Sequence, residues 1–283
     1  MNKRVVLRQT SGTLLVSSDI HGNLEDFQAL ARVFEERLAA GESCVWVGLG
    51  DWVHGPVKGR SSKRWAGEEL FEYPDRSREI VEHLFELFRR HPGRFHSTLG
   101  NHEHAHLGGA LTCRFHPDEA VHLEEGMAPE NVAQMRDLFR SWPLVIQVPA
   151  CGVVLSHGAP PDEYLGTRVI DEVVYEGVCP PDSASFLDEV LWSYSFGPRG
   201  GRRFLDHLSL GTERYDLIVH GHDRELDGGA PDGEHGYLLC TGFGAKRARK
   251  AYLALELGRH YHGSADLREG IEIRRLHAGA RHP

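Results

Sequence analysis

Several things are scarce in this chain. No stretch approaches the run of about 18 apolar residues that a membrane-spanning helix needs, and 40% hydrophobic with 26% charged residues falls in the range of soluble globular proteins. The five cysteines, Cys44, Cys113, Cys151, Cys179 and Cys240, are an odd set without paired spacing. This excludes a disulfide framework and fits a reducing compartment. Cys44, Cys151 and Cys240 sit beside strand-like runs and read as core. Positive charge is also short: 32 Lys and Arg against 41 Asp and Glu leave a net charge of −9. General nucleic-acid binding is therefore not expected, because it depends on neutralising phosphates. Residues 1–9 carry Lys3, Arg4 and Arg8 but lack the apolar stretch of a secretory signal. The expectation is a cytoplasmic protein with no membrane partner.

Histidine is in excess, with 19 residues, and position has to separate ligands from bystanders. Residues 13–18 read as a buried strand, and residues 23–39 place Leu24, Phe27, Leu30, Val33, Phe34 and Leu38 at helical spacing, which starts a βα unit. A second strand over 44–49 leads through a polar stretch to a helix over 78–90, and a third strand follows over 94–99. Residues 103–126 look like an irregular, His-rich insertion before a helix over 130–140. The runs 144–148 and 153–156 flank Ala150-Cys151-Gly152 and suggest an antiparallel hairpin. The sheet is therefore expected to be mixed. A helix over 201–210 and strands over 217–220, 237–240 and 251–257 complete an α/β chain without repeat or linker. One domain over 1–258 and a polar tail over 259–283 follow.

A series of short segments ends these apolar runs with metal-seeking or phosphate-seeking side chains: Asp19-Ile20-His21-Gly22, Gly50-Asp51, Gly100-Asn101-His102-Glu103, Ser156-His157-Gly158, Trp192-Ser193, Pro198-Arg199-Gly200 and Gly221-His222. A parallel strand running into a tight loop puts its last side chains at the carboxyl edge of the sheet, where open α/β folds bind ligands. Asp19 and His21 can turn toward one cation, and a carboxylate at Asp51 can give one oxygen to each of two ions. Asn101 offers a carbonyl oxygen, while His157 and His222 offer imidazoles, which suit Mn, Fe or Zn better than an all-oxygen Mg or Ca site. Two ions about 3.5–4 Å apart acidify water and clamp phosphoryl oxygens. His102, next to Asn101, can protonate a leaving oxygen.

In this order the motifs resemble the calcineurin-like metallophosphoesterases over roughly residues 14–257, and within them the phosphoprotein (serine/threonine) phosphatase branch. Leu191-Trp192-Ser193 and Pro198-Arg199-Gly200 are similar to that branch's Leu-Trp-Ser and Arg-Gly segment. The resemblance implies a four-layer αββα sandwich of mixed sheets between helices, with a dinuclear site at the strand ends. It assigns Asp19, His21 and Asp51 to one ion, and Asp51, Asn101, His157 and His222 to the other, with Mn the first choice and Fe or Zn as alternatives. Asp51 and His102 would be catalytic, and Arg199, Asn101 and His102 would hold the substrate phosphate. His220 would sit behind the ligands. Partners would be phosphorylated proteins or small phosphorylated molecules.

The chain departs from that branch after Asp51. Where Gly-Asp-x-Val-Asp-Arg-Gly is the pattern, Gly50-Asp51-Trp52-Val53-His54-Gly55-Pro56 stands, so the second phosphate arginine is missing and His54 replaces the aspartate that orients the acid histidine. Lys58, Arg60 or Arg64 are candidates to reach the phosphate. Trp52, Trp65, Phe71 and Tyr73 are candidates to line the mouth, with plain packing as the competing reading. Three further readings stay open. Gly55-Pro56 resembles dinucleoside polyphosphate hydrolases. His102-Glu103-His104-Ala105-His106 fits the zinc-protease pattern, which needs both histidines on one helical face. A metal-binding module without turnover would explain the missing arginine. His104, His106, His116 and His122 suggest a third metal, or else solvent-exposed residues of the insertion.

Overall fold

The computed structural model describes residues 2–57, 68–162, 170–194, 197–209 and 211–277. In chain order the elements are β1 (Arg4–Val6), β2 (Gly12–Ser17), α1 (Leu24–Ala39), β3 (Cys44–Gly48), α2 (Ser77–Arg90), β4 (Phe95–Ser97), α3 (Asn101–Ala105), α4 (Glu119–Glu124) and α5 (Pro129–Ser141). They continue as β5 (Val145–Val148), β6 (Val153–Ser156), α6 (Pro181–Trp192), α7 (Pro198–Leu208), β7 (Leu217–His220), β8 (Gly229–Pro231), β9 (Gly236–Leu239), β10 (Ala251–Leu257) and β11 (Ile273–Arg275). No described helix is long and apolar enough to cross a membrane.

The strands form two mixed sheets, ordered β1-β5-β6-β7-β9-β8 and β11-β10-β2-β3-β4. In the second, β2, β3 and β4 run parallel, and β10 joins β2 antiparallel. In the first, β5 and β6 form the expected antiparallel hairpin, while β6, β7 and β9 run parallel. The two late runs expected to close the domain together divide between the sheets, as β9 and β10.

Layering follows from strand alternation. Leu14, Val16, Val45 and Val47 share one buried cluster with Ile146, Val148, Val153, Leu155, Leu217 and Val219, which glues sheet to sheet. The intervening residues Leu15, Cys44, Trp46, Val145, Val154 and Ile218 face the other way, into a cluster with helix residues such as Phe27, Phe34, Ile80, Leu84, Leu191 and Phe204. These strands are apolar on both faces because both are covered. Trp46 takes Phe27 and Phe34 at 6.0 and 5.8 Å between ring centroids. The result is helices outside two sheets. At the start of α1, the Asn23 side chain caps the helix by accepting from Asp26 N at 3.2 Å.

The segment after Leu257 differs from the expected loose tail. Tyr261 is fully buried, β11 pairs antiparallel with β10, and His277 Nε2 lies 2.8 Å from Asp26 Oδ1. Its polar composition hid this, because Arg259 and Arg268 are spent on the buried Glu272 instead of on solvent.

Candidate metal centre

The loops that leave the carboxyl ends of β2, β3, β4, β6 and β7 carry Asp19 and His21, Asp51, Asn101, His157 and His222 respectively. Among the described residues, the non-glycine residues at positive φ are Asp19 (53°), His21 (45°), Asp51 (55°), His54 (67°) and His222 (71°). Left-handed backbone costs such residues about 1–3 kcal/mol each and persists only where the surroundings enforce it. Here the surroundings are backbone ties: His21 N donates to Asp51 O at 2.9 Å, Gly22 N to Trp52 O at 2.9 Å, and Phe243 N to Asp19 O at 2.7 Å. Gly50 is at φ 87° with Gly100 N only 2.6 Å from where a Cβ would stand, so these two loops pack backbone to backbone.

The buried carboxylate of Asp51 is shared. His21 Nε2 lies 3.3 Å and His157 Nε2 3.5 Å from Asp51 Oδ2, and His21 Nε2 is 3.8 Å from Asp19 Oδ1. Asn101 Oδ1 is 2.9 Å from His157 Nε2 and 3.2 Å from His222 Nδ1, and the two histidine atoms are themselves 3.2 Å apart. The imidazole-to-carboxylate separations are too long for hydrogen bonds and suit atoms that converge on a cation with bonds of about 2.0–2.2 Å. Asp51 belongs to two such groups, one with His21 and His102 and the other with His157 and His222.

The outer nitrogens support the same use. His157 Nδ1 is 2.7 Å from Leu49 O and His21 Nδ1 is 3.2 Å from His54 O. Donation of Nδ1–H to a carbonyl leaves the Nε2 lone pair facing inward, the usual arrangement of a ligating histidine. His222 N donates to both oxygens of Asp19 at 3.2 and 3.1 Å, and its Nε2 is buried without a hydrogen-bond partner. The buried His220, with Nε2 3.1 Å from Asp232 Oδ2, stands behind this loop. The residues present therefore fit a pair of divalent cations.

Electrostatics agree. Burial alone would raise Asp51, but His157, His102 and His21 hold its carboxyl well below the usual range. Burial opposes charge on His21, yet the carboxyl groups of Asp19 and Asp51 beside it push it up to about 10. A cation bound there takes the place of that proton, so loading must release it. Burial, then His157, lower His222 to about 4, which keeps its nitrogens free of a second proton.

Glu103 has a different job from the one the zinc-protease pattern requires. Its carboxylate is fully buried and accepts from Asp51 N at 2.9 Å, Trp52 N at 2.8 Å and Gly100 N at 3.1 Å. It clamps the Asp51 loop and has no room to act as a base. The helix α3 ends at Ala105, and His102 and His106 stand on opposite sides of the His54 ring. The two histidines do not share a helical face, and the zinc-protease pattern is not realised here.

His102 N donates to Asp51 Oδ1 at 3.1 Å, and its Nε2 is 3.9 Å from Asp51 Oδ2, so the ring borders the ligand set. Burial is the main reason its pKa lies well below the ordinary imidazole value. Arg199 is placed otherwise: its side chain is 83% exposed, Nη2 is 3.4 Å from Asp162 Oδ2, and its backbone N donates to Asp162 Oδ1 at 2.8 Å. The structure brings the six metal candidates and His102 together and leaves Arg199 on Asp162 at the start of α7. Lys58, Arg60, Arg64 and Trp65 lie outside the described residues.

The remaining candidates separate. Trp52 is core, with Nε1 donating to Ser97 Oγ at 2.8 Å, and it does not line a mouth. Phe71 packs on Phe243 at 5.2 Å, and Phe243 packs on His21 at 4.4 Å, so Phe71 stands near the site. The third-metal histidines do not gather: His104 Nε2 meets Tyr175 O at 3.2 Å, His106 meets His54 and Glu124, and His116 stacks on His122 at 4.5 Å. His104 and His106 are also buried, against the expectation of solvent exposure. Sequence reasoning missed Arg114, whose guanidinium covers the Phe243 ring at 4.2 Å, and Glu119, whose Oε2 is 3.4 Å from His102 Nδ1. Neither follows a strand, so the signal that exposed the ligands did not reach them.

Acids and imidazoles gathered at the strand ends of two mixed sheets flanked by helices are the layout of a metallophosphoesterase. The family model of calcineurin-like phosphoesterases matches residues 12–225, and the chain belongs to that family. No curated protein matches it in sequence. Among solved structures it resembles a protein serine/threonine phosphatase from Saccharomyces cerevisiae with similarity to human phosphatase PP5. That likeness has 16% identity and a TM-score of 0.62 over 99% of this chain and 84% of that one. It also resembles a cold-active protein-tyrosine phosphatase from a psychrophilic Shewanella species, with 17% identity and a TM-score of 0.48 over 91% of this chain and 78% of that one. A putative diadenosine tetraphosphatase gives 18% identity and a TM-score of 0.46 over 90% of this chain and 93% of that one.

Proposed function

We propose that the chain hydrolyses phosphomonoesters in the manner of a serine/threonine phosphatase, with two divalent cations, Mn first among them. The observation that carries this reading is the Asp51 carboxylate, which serves two converging ligand groups at once. When bound, the cations supply positive charge that polarises phosphoryl oxygens and acidifies water. Asp19, His21 and Asp51 would hold one, and Asp51, Asn101, His157 and His222 the other. Asn101 and His102 border the space a phosphoryl group would enter, and His102 would give a proton to the ester oxygen as it leaves. Arg199 is assigned to the substrate phosphate, which its planar guanidinium matches. It reaches the phosphate only by exchanging Asp162 for it.

Metal analysis of the purified chain, joined to assays with p-nitrophenyl phosphate, a phosphopeptide, a phosphodiester and diadenosine tetraphosphate, tests the proposal. About two equivalents of metal and turnover of the first two compounds are expected. Preference for diadenosine tetraphosphate would move the substrate to small phosphorylated molecules. Metal without turnover of any compound would reduce the chain to a binding module.

A further inference from the structure

A phosphomonoester carries roughly two negative charges at neutral pH, and planar guanidinium groups are the side chains that match its oxygens. The chain has no arginine directly after Asp51, where Trp52-Val53-His54 stands. Arg199 is exposed and bound to Asp162. Two other arginines lie closer to the ligand set.

Arg114 lies half-buried on the irregular segment between α3 and α4, with its guanidinium carbon 4.2 Å from the centre of the Phe243 ring. Stacking on an aromatic ring holds a guanidinium by its face. The N–H groups at its edge stay directed sideways. Phe243 is buried and tied to the metal centre, since its ring packs on His21 at 4.4 Å and its N–H donates to Asp19 O at 2.7 Å. A single ring therefore separates Arg114 from a ligand. The support is broader than that ring, because Phe71 packs on Phe243 at 5.2 Å and Phe115 meets each of them at 5.9 Å. Phe115 N also donates to Glu119 Oε1 at 2.6 Å, which fixes the backbone next to Arg114.

Arg224 arrives from the loop after β7, also half-buried. Gly244 follows Phe243 at φ 75°, and a Cβ there would stand 2.8 Å from Arg224 Cγ and 2.9 Å from its Cδ. The missing side chain lets the Arg224 stem pass beside the residue that carries Arg114. Burial, and after it the like charge of Arg224, disfavour the charge on Arg114 and lower its pKa, with Tyr194, Glu119 and Asp51 acting the other way. Tyr194 stacks on His222 at 4.5 Å, so Arg114 has neighbours of both His21 and His222 around it. A guanidinium stays protonated all the same. Two like charges are thus kept within reach of each other, and an anion between them would offset their repulsion.

We propose that Arg114 and Arg224 together grip the phosphoryl oxygens of a phosphomonoester dianion at the Asp51 centre, in place of the guanidinium missing after Asp51. The proposal rests on the phosphoester reading for the identity of the anion. It names the dianionic monoester, over the monoanionic diester, as the substrate class. The competing role for Arg114 is structural, to cover Phe243 and hold the segment before α4.

The test uses the metal-loaded full chain, with calorimetry on inorganic phosphate and kinetics on p-nitrophenyl phosphate and bis(p-nitrophenyl) phosphate. Arg114→Met keeps an apolar stem on Phe243 without the charge, and should weaken phosphate binding about 10–100-fold. Its kcat/KM should fall by a similar factor on the monoester, mostly through KM, and by no more than about 3-fold on the diester. Arg114→Lys restores the charge without the planar fork and should recover to within about 10-fold of the wild type. Arg224→Ala should weaken phosphate about 3–30-fold, and it carries the test if Arg114→Met does not fold. Bound metal should stay at about two equivalents in both variants.

Unchanged phosphate affinity in either Arg114→Met or Arg224→Ala would overturn the proposal. Equal losses on the two esters, or loss of metal in Arg114→Met, would overturn it as well, because a structural role predicts both. If phosphate binding depends on the two arginines while neither ester is turned over, the phosphoester reading fails and the anion clamp stands. If p-nitrophenyl phosphate is turned over and phosphate affinity ignores the arginines, the reading stands and the clamp fails.

Discussion

The two sheets contribute to the centre in different ways. The loops of the five-stranded sheet bring both carboxylates, Asp19 and Asp51, together with His21 and Asn101, whereas the six-stranded sheet brings only the imidazoles of His157 and His222. Backbone strain divides the same way, since Asp19, His21, Asp51 and His54 lie on one side and His222 alone on the other. So does support: Glu103 locks the Asp51 loop through three N–H groups, while His157 is held from across the centre by Leu49 O. Charge and rigidity are concentrated in the five-stranded sheet. An ion held next to Asp19 would meet two carboxylates and one held next to His222 would share one, so the two positions should differ in affinity.

Experiments that break this asymmetry are ordered by expected effect. Asp51→Asn removes the charge common to both positions and should lower kcat/KM by roughly 10³-fold or more with the fold intact by circular dichroism. Retained activity would end the two-metal account. Asp19→Asn and His222→Asn should each reduce bound metal from about two equivalents to about one by elemental analysis, with the larger loss of tight binding in Asp19→Asn. Equal behaviour of the two would remove the asymmetry. Glu103→Gln keeps the shape but weakens the clamp, and should cost about 1–3 kcal/mol in urea unfolding along with about 10–100-fold in metal affinity. An unchanged midpoint would show that the loop holds its form without it. Arg199→Ala should weaken inhibition by inorganic phosphate by less than about 10-fold, because an exposed guanidinium already paired to Asp162 gives little. An unchanged inhibition constant would take Arg199 out of the site.

How much of this was legible in the sequence depended on whether a residue follows a strand. Asp19, His21, Asp51, Asn101, His157 and His222 announce themselves because an apolar run ends at each, and the run dictates where the side chain goes. The helices expected over 23–39 and 78–90 were legible from apolar spacing, and they stand at Leu24–Ala39 and Ser77–Arg90. Glu119 and Glu124 were not, because they ride on the short helix α4 inside an irregular insertion, and nothing local says that α4 folds back on His102 and His106. The strands β1, β8 and β11 have three residues each, too few for a period of two to be read. Arg199 shows the opposite error: its motif was plain, and its position in space was not.

The place of β10 in the five-stranded sheet has a consequence for biogenesis. Leu14 of β2 is in register with Leu255 of β10, so two strands far apart in sequence lie side by side. Pairing across such a separation is slow because the loop entropy has to be overcome before the contacts form. During synthesis the edge of β2 that β10 later covers stays open until β10 has emerged. The loop carrying Asp19 and His21 leaves from that same strand. Acquisition of metal should therefore follow the emergence of β10, and truncation just before β10 should yield an aggregation-prone chain and not a smaller working domain.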